Sequence, residues 1–105
     1  MNYLAVITTV ATRAEAQGLA RSIVERGLAA CAQISEIESF YTWNGAVQNE
    51  REFRVVLKTT DLMYKRVEQA IREMHSYDLP AIYALPVEQI YEPYATWLAG
   101  GSRGE

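Results

Sequence analysis

An α+β domain with the element order βαββαβ, one overlong hairpin and a short C-terminal helix is the fold class this sequence predicts. Three observations carry it. The chain opens on an apolar, non-alternating run at residues 3–9. Asn44-Gly45 sits between two long extended stretches. Two segments with apolar residues at helical spacing flank that hairpin. A run without alternation marks a strand covered on both faces, so the first strand belongs in the middle of a sheet.

Each element has its own local reasons. Thr12-Arg13-Ala14-Glu15 reads as a capping box, and Ala16, Leu19, Ala20, Ile23 and Val24 form one stripe behind it, which predicts a helix over 13–26. Gly27 is placed to end it as a left-handed cap, with Leu28 folding back on Ile23. Strands follow over 30–43 and 46–59, joined at Asn44-Gly45, the residue pair a type I′ turn prefers because both positions need positive φ. Thr60-Asp61 supplies a second cap. Met63, Tyr64, Val67, Ala70, Ile71 and Met74 then make a second helical stripe ending near His75, where 76–80 break it before Pro80. A fourth strand over 81–87 carries Pro86, which lacks a ladder donor and belongs at an edge or a strand end. Pro93 opens a last short helix through Trp97 and Leu98. The folded domain is expected to span residues 1–99, with 100–105 a flexible tail.

The hairpin poses a register problem. Straight pairing across the turn sets Ile37 opposite Glu52 and Tyr41 opposite Gln48, and aligns apolar Phe53, Val55 and Leu57 with positions such as Glu36 and Ile34. Either a bulge near residues 34–36 shifts the phase, or both faces are covered by another subunit, and some of each is expected. The arms, about 14 residues each, exceed the usual strand and should overhang so small a domain. Right-handed crossovers put both helices on one face of a split βαβ, or ferredoxin-like, sheet. The other face, expected to carry Val56 and Phe40, is then a larger apolar patch than a lone soluble chain tolerates, which points to association.

Composition bounds the function. A chain of 105 residues, half of them apolar and 22% charged, holds one core. Its formal charge of −3 comes from ten Lys and Arg scattered among thirteen acids, which argues against nucleic acid as a partner. No apolar run approaches the length of a membrane helix, and the first residues show no leader pattern, so no membrane partner is expected. Cys31 is the only cysteine, which fits a reducing compartment and a cytoplasmic location.

Several pieces in order resemble the CutA divalent-cation tolerance proteins: Thr8-Thr9, Leu28-Ala29-Ala30-Cys31, the tip Ser39-Phe40-Tyr41-Thr42-Trp43-Asn44-Gly45, Glu52 with Leu57-Lys58-Thr59, and His75-Ser76-Tyr77-Asp78-Leu79-Pro80. The resemblance implies a ferredoxin-like fold and a compact homotrimer built by strand pairing between the hairpins. It also implies a distant likeness to the PII signalling proteins and a link to tolerance of copper and other divalent metals, with no established reaction. Two positions depart from the family pattern: Ala11 stands where proline is common, and Pro80-Ala81 replaces a Pro-Glu pair, which removes a carboxylate.

Against that background a metal site would draw on Cys31, His75 and Glu52, with copper the first choice for a thiolate and an imidazole. Each has a structural reading beside it: a buried thiol for Cys31, and a helix C-terminal imidazolium for His75. Glu52 and Lys58 share a strand face six residues apart, either as metal ligand and anion holder at a cleft or as a solvated or interface ion pair. Tyr41 and Trp43 at the tip could frame a small-molecule pocket or pack on another subunit, and Tyr77 and Trp97 read as packing groups with polar tips. A Cys31 nucleophile activated by His75 lacks a helix N-terminus to lower the thiol pKa, and no phosphate-binding loop exists, so no enzyme is expected. The alternative to a metal protein is a PII-like regulatory or scaffold trimer holding a small anion or metabolite between subunits.

Overall fold

The computed structural model describes residues 1–104 and has the order β1 (Tyr3–Val10), α1 (Arg13–Glu25), β2 (Cys31–Trp43), β3 (Ala46–Thr60), a 3₁₀ turn (Asp61–Met63), α2 (Tyr64–Met74), β4 (Ile82–Val87) and α3 (Glu92–Gly101). The four strands form one antiparallel sheet in the order β2-β3-β1-β4, so β1 is central as its unbroken apolar run requires. β4 lies at the edge, where the missing donor of Pro86 interrupts no further ladder.

Helices α1 and α2 cover one face. Val6 and Val10 of β1, Leu19 and Ile23 of α1, Val55 and Leu57 of β3, and Val67 and Ile71 of α2 make the core, all at most 2% exposed. The hairpin keeps straight register from Trp43 opposite Ala46 down to Cys31 opposite Lys58. The expected bulge near residues 34–36 is absent. Val55 and Leu57 meet Ile34 and Ala32, which pack on the core, whereas Phe53 meets Glu36. That polar position is tolerated because Glu36 lies at the margin of the helical layer, paired with Arg51 at 2.8 Å and Arg13 at 3.6 Å, while Arg13 sits over the Phe53 ring. Phe40, expected beside Val56, alternates instead with the Glu36 set, beyond the reach of the helices, and is 68% exposed. β1 pairs with β3 only over Phe53–Thr60, so residues 46–52 and their β2 partners project as a two-stranded arm.

The helix ends follow local chemistry with two departures. Thr12 caps α1 by accepting from the Glu15 N–H, but the Glu15 carboxylate is taken by Ser76 rather than returned to the cap. Thr60 makes no side-chain cap, and Asp61 accepts instead from the Asn2 N–H at 3.1 Å. At the other end of α1, Gly27 (φ 68°) and Leu28 donate to the carbonyls of Val24 and Ile23, the paired bonds of a Schellman cap. The chain end also differs from the loose tail expected after residue 99. α3 runs on to Gly101, Ser102 is buried with its hydroxyl on the Leu98 carbonyl, and the Gly104 N–H donates to the Gly27 carbonyl at 2.8 Å.

Two substitutions test this packing. A Cβ on Gly27 would sit 2.9 Å from the Gly104 carbonyl oxygen at a φ that L-residues disfavour. Gly27→Ala should therefore lower unfolding stability by roughly 2 kcal/mol in urea titrations, against no change if the segment yields freely. Thr8 is fully buried in β1, and its hydroxyl finds no partner among the described residues. Thr8→Val keeps the shape and removes the orphan, and should raise stability by about 1 kcal/mol.

Candidate functional site

The face of the sheet away from α1 and α2 carries Tyr3, Ala5, Ile7 and Thr9 of β1 with their partners on β3 and β4. At the end nearest the projecting arm, the segment after α2 returns across β1 and closes one side of a cleft of about 540 Å³. β2 supplies Tyr41 and Trp43 from the arm, β3 supplies Glu52, β4 supplies Tyr83, and the returning segment supplies Tyr77 and Asp78.

A line of polar contacts holds that segment in place. His75 is the C-cap of α2, and its side chain is fully buried. Its Nε2 lies 2.8 Å from the Thr9 carbonyl, which can only accept, while its Nδ1 accepts from the Tyr77 N–H at 3.1 Å. Those two partners define the neutral tautomer protonated at Nε2, with both nitrogens occupied. Glu15, from the first turn of α1, accepts from the Ser76 N–H at 3.0 Å and from its hydroxyl at 3.1 Å. Tyr77 then stacks at a tilt on His75 and donates its hydroxyl to Glu52 Oε2 at 2.9 Å. Burial, this bond, and the charges of Glu52 and Glu50 hold the Tyr77 phenol well above its ordinary pKa range. Burial first, then Glu50 and more weakly Glu52, raises the Tyr41 phenol as well.

Cys31 lies elsewhere. It begins β2 opposite Lys58, half-buried, with its sulfur 3.4 Å from the Tyr94 hydroxyl of α3. Hydrogen bonding to Cys31, together with burial, raises the Tyr94 pKa. Lys58 shares its face with Glu52 as expected, but its ammonium bonds Gln33. Six residues of strand separate the two along β3, roughly 20 Å. The structure therefore joins Glu52, Tyr77 and His75 in one place and sets Cys31 and Lys58 in another. Among the described residues no three His, Cys, Asp or Glu side chains converge as a metal-ligand group. Glu15, Ser76, Asp78, Tyr83 and Tyr94 were not picked out as site residues from the sequence. Glu15 carried only a helix-cap signal, and no local pattern signals a bond spanning 61 residues.

Residues 4–100 match the model of the CutA1 divalent ion tolerance protein family. The divalent-cation tolerance protein CutA of Pyrococcus horikoshii is 32% identical over 93 residues, which cover 89% of this chain and 91% of that protein. Among solved structures, rice CutA1 superposes with a TM-score of 0.95 at 33% identity, covering 98% of this chain and 95% of the other. A protein described as the periplasmic divalent cation tolerance protein CutA of Archaeoglobus fulgidus superposes with a TM-score of 0.93 at 30% identity, covering 98% and 100%. An antiparallel ferredoxin-like sheet with a long projecting hairpin defines the structural class, and the chain belongs to the CutA1 divalent ion tolerance family. The family is defined by tolerance of divalent ions and not by a catalysed reaction. No helix among the described residues is long and apolar enough to cross a membrane.

Tyr77→Phe removes the hydroxyl that satisfies Glu52 and should cost about 1–2 kcal/mol at pH 7, since bonds to charged acceptors exceed neutral ones. The folded phenol keeps its proton to higher pH than the unfolded one. Its contribution is therefore whole below about pH 10 and fades as pH rises beyond that. The unfolding free energies of wild type and variant should converge as pH rises above about 10 on this reading; a constant gap would assign the loss to packing.

Proposed function

We propose that this chain acts in the cytoplasm as a homotrimeric, non-enzymatic divalent-cation tolerance protein that binds copper or another divalent metal. The observation that carries the assembly is the unsupported arm. Residues 46–52 and their β2 partners have no third strand, and Phe40, Trp43 and Val47 on the arm are 68%, 48% and 73% exposed. Tyr83 and Leu85 on the open face are each about half exposed. Pairing the arms of three chains would satisfy the free β2 edge and cover these groups, and the edge strand itself is the template. The single cysteine suits a reducing compartment.

For metal, the described residues of one chain do not offer a complete site. Cys31 supplies a soft sulfur and Glu52 a buried carboxylate, but they are far apart, and His75 would have to surrender its bond from Tyr77 before its Nδ1 could ligate. Copper would therefore be held between chains, with Cys31 as the leading donor and Glu52 and His75 as the further ones. A second reading, a PII-like trimer with a small ligand in its clefts, is favoured by the cleft beside Glu52, whose size suits a metabolite.

Light scattering on the purified protein at micromolar concentration should give three times 11.9 kDa. A stable species of one chain mass would end the assembly proposal. Copper titration should weaken at least tenfold in Cys31→Ala and less in His75→Ala; unchanged binding in Cys31→Ala would remove that residue from the site.

A further inference from the structure

The arm leaves the sheet between two adjacent rungs. Phe53 opposite Glu36 is the last rung backed by a third strand, through Val10, and Glu52 opposite Ile37 is the first without one. Side chains alternate, so the first of these rungs points to the helix face and the second to the open face. Both are gripped from outside the hairpin. On the helix face Arg13 sits 4.9 Å from the centroid of the Phe53 ring and 3.6 Å from Glu36, which also holds Arg51 of the arm at 2.8 Å. On the open face the Tyr77 hydroxyl donates to Glu52 at 2.9 Å. The segment carrying Tyr77 is tied in turn by Glu15, which accepts from the Ser76 N–H and hydroxyl, and by His75 on the Thr9 carbonyl. Arg13 and Glu15 both belong to the first turn of α1, so one helical turn reaches the root of the arm by both faces.

We propose that this turn aims the arm: Arg13 on one face and Glu15, acting through Ser76 and Tyr77, on the other hold it in the direction that pairing with two further copies of the chain requires. This role rests on the homotrimer proposed above and refines it. A two-stranded ribbon beyond its last supported rung is marginally ordered by itself and free to vary its twist. Docking a loose arm carries an ordering cost that a held one avoids. On the helix face the grip adds little to the stability of the fold. The Arg13 and Glu36 side chains are 56% and 44% exposed, and ion pairs so open to water contribute little. Assembly feels the grip more because it is repeated: a roughly threefold loss of correctly held arms compounds to about 27-fold over three chains. Glu15 and Ser76 act here as positioning residues, bonding each other and not the arm.

The test compares the full-length wild type with Arg13→Leu, Glu15→Ala and Ser76→Ala, and with Arg21→Ala as a control that breaks the exposed Arg21–Glu25 pair farther along α1. Sedimentation over a dilution series, in urea that leaves the chain folded and the wild-type assembly half dissociated, reads the association constant of three chains. It should be at least tenfold lower in Arg13→Leu and in Glu15→Ala and unchanged in Arg21→Ala. Hydrogen exchange reads the arm directly. Amides of residues 46–52 should exchange at least tenfold faster in the same two variants, while those of Val6, Val55 and Leu57 in the core keep their rates. Either substitution stands as the test if the other fails to fold. Combining Glu15→Ala with Ser76→Ala should do no more than Glu15→Ala alone, because they cut one route, whereas adding Arg13→Leu to either should multiply the loss. Equal acceleration in core and arm would assign the effect to folding and overturn the proposal. A wild type that associates, with Arg13→Leu and Glu15→Ala associating equally well, would overturn it and leave the homotrimer standing. A wild type that stays a single chain would overturn both.

Discussion

A two-residue turn governs which side of the sheet every residue of the hairpin faces. Asn44 and Gly45 both take positive φ, 52° and 77°, the geometry whose twist matches the strands it joins. From it β2 and β3 stay in step along their whole length. Because side chains alternate strictly, this one register sends Val55 and Leu57 to the core and Glu52, Val56 and Lys58 to the other face. A slip by one residue would bury Arg54 and Lys58 among Leu19 and Ile71 and expose the present core. The same register builds the foundation of the cleft, since Glu52 can meet Tyr77 only from the open face.

The second organising device is polar and long-range. Glu15 at the start of α1 holds Ser76, His75 ties the Thr9 carbonyl to the Tyr77 backbone, and Tyr77 reaches Glu52. Four segments distant in sequence meet in this chain of bonds. It fixes a loop that hydrophobic burial alone would leave free, because residues 76–81 contribute nothing to the core. Buried polar groups of this kind specify one arrangement when each is satisfied, and here His75 uses both nitrogens and Glu15 both oxygens.

Charge is divided along the open face. Lys58 and Arg54 occupy the β3 positions nearer Cys31, whereas Glu52, Glu50 and Asp78 gather at the arm and cleft. With a net charge of only −3, the molecule offers no general field to attract cations. Glu52 and Cys31 share this face but stand roughly 20 Å apart along the hairpin.

What the sequence alone determined was whatever depends on neighbours in the chain. The helical stripes of α1 and α2, the Gly27 cap, the Asn44-Gly45 turn and the central place of β1 follow from local periodicity and backbone preference, and the family was legible in the ordered motifs. Tertiary structure alone decided that Glu36 could lie opposite Phe53 without a bulge, because Arg13 and Arg51 happen to meet there. It alone decided that Glu15 serves Ser76 instead of its own helix cap, that residues 100–104 dock against Gly27, and that Glu52 is buried beneath Tyr77. Turns and stripes are energies of adjacent residues and can be read in order. The partner of a buried charge is chosen by packing among residues far apart in the chain, and only the folded arrangement brings them within hydrogen-bonding reach.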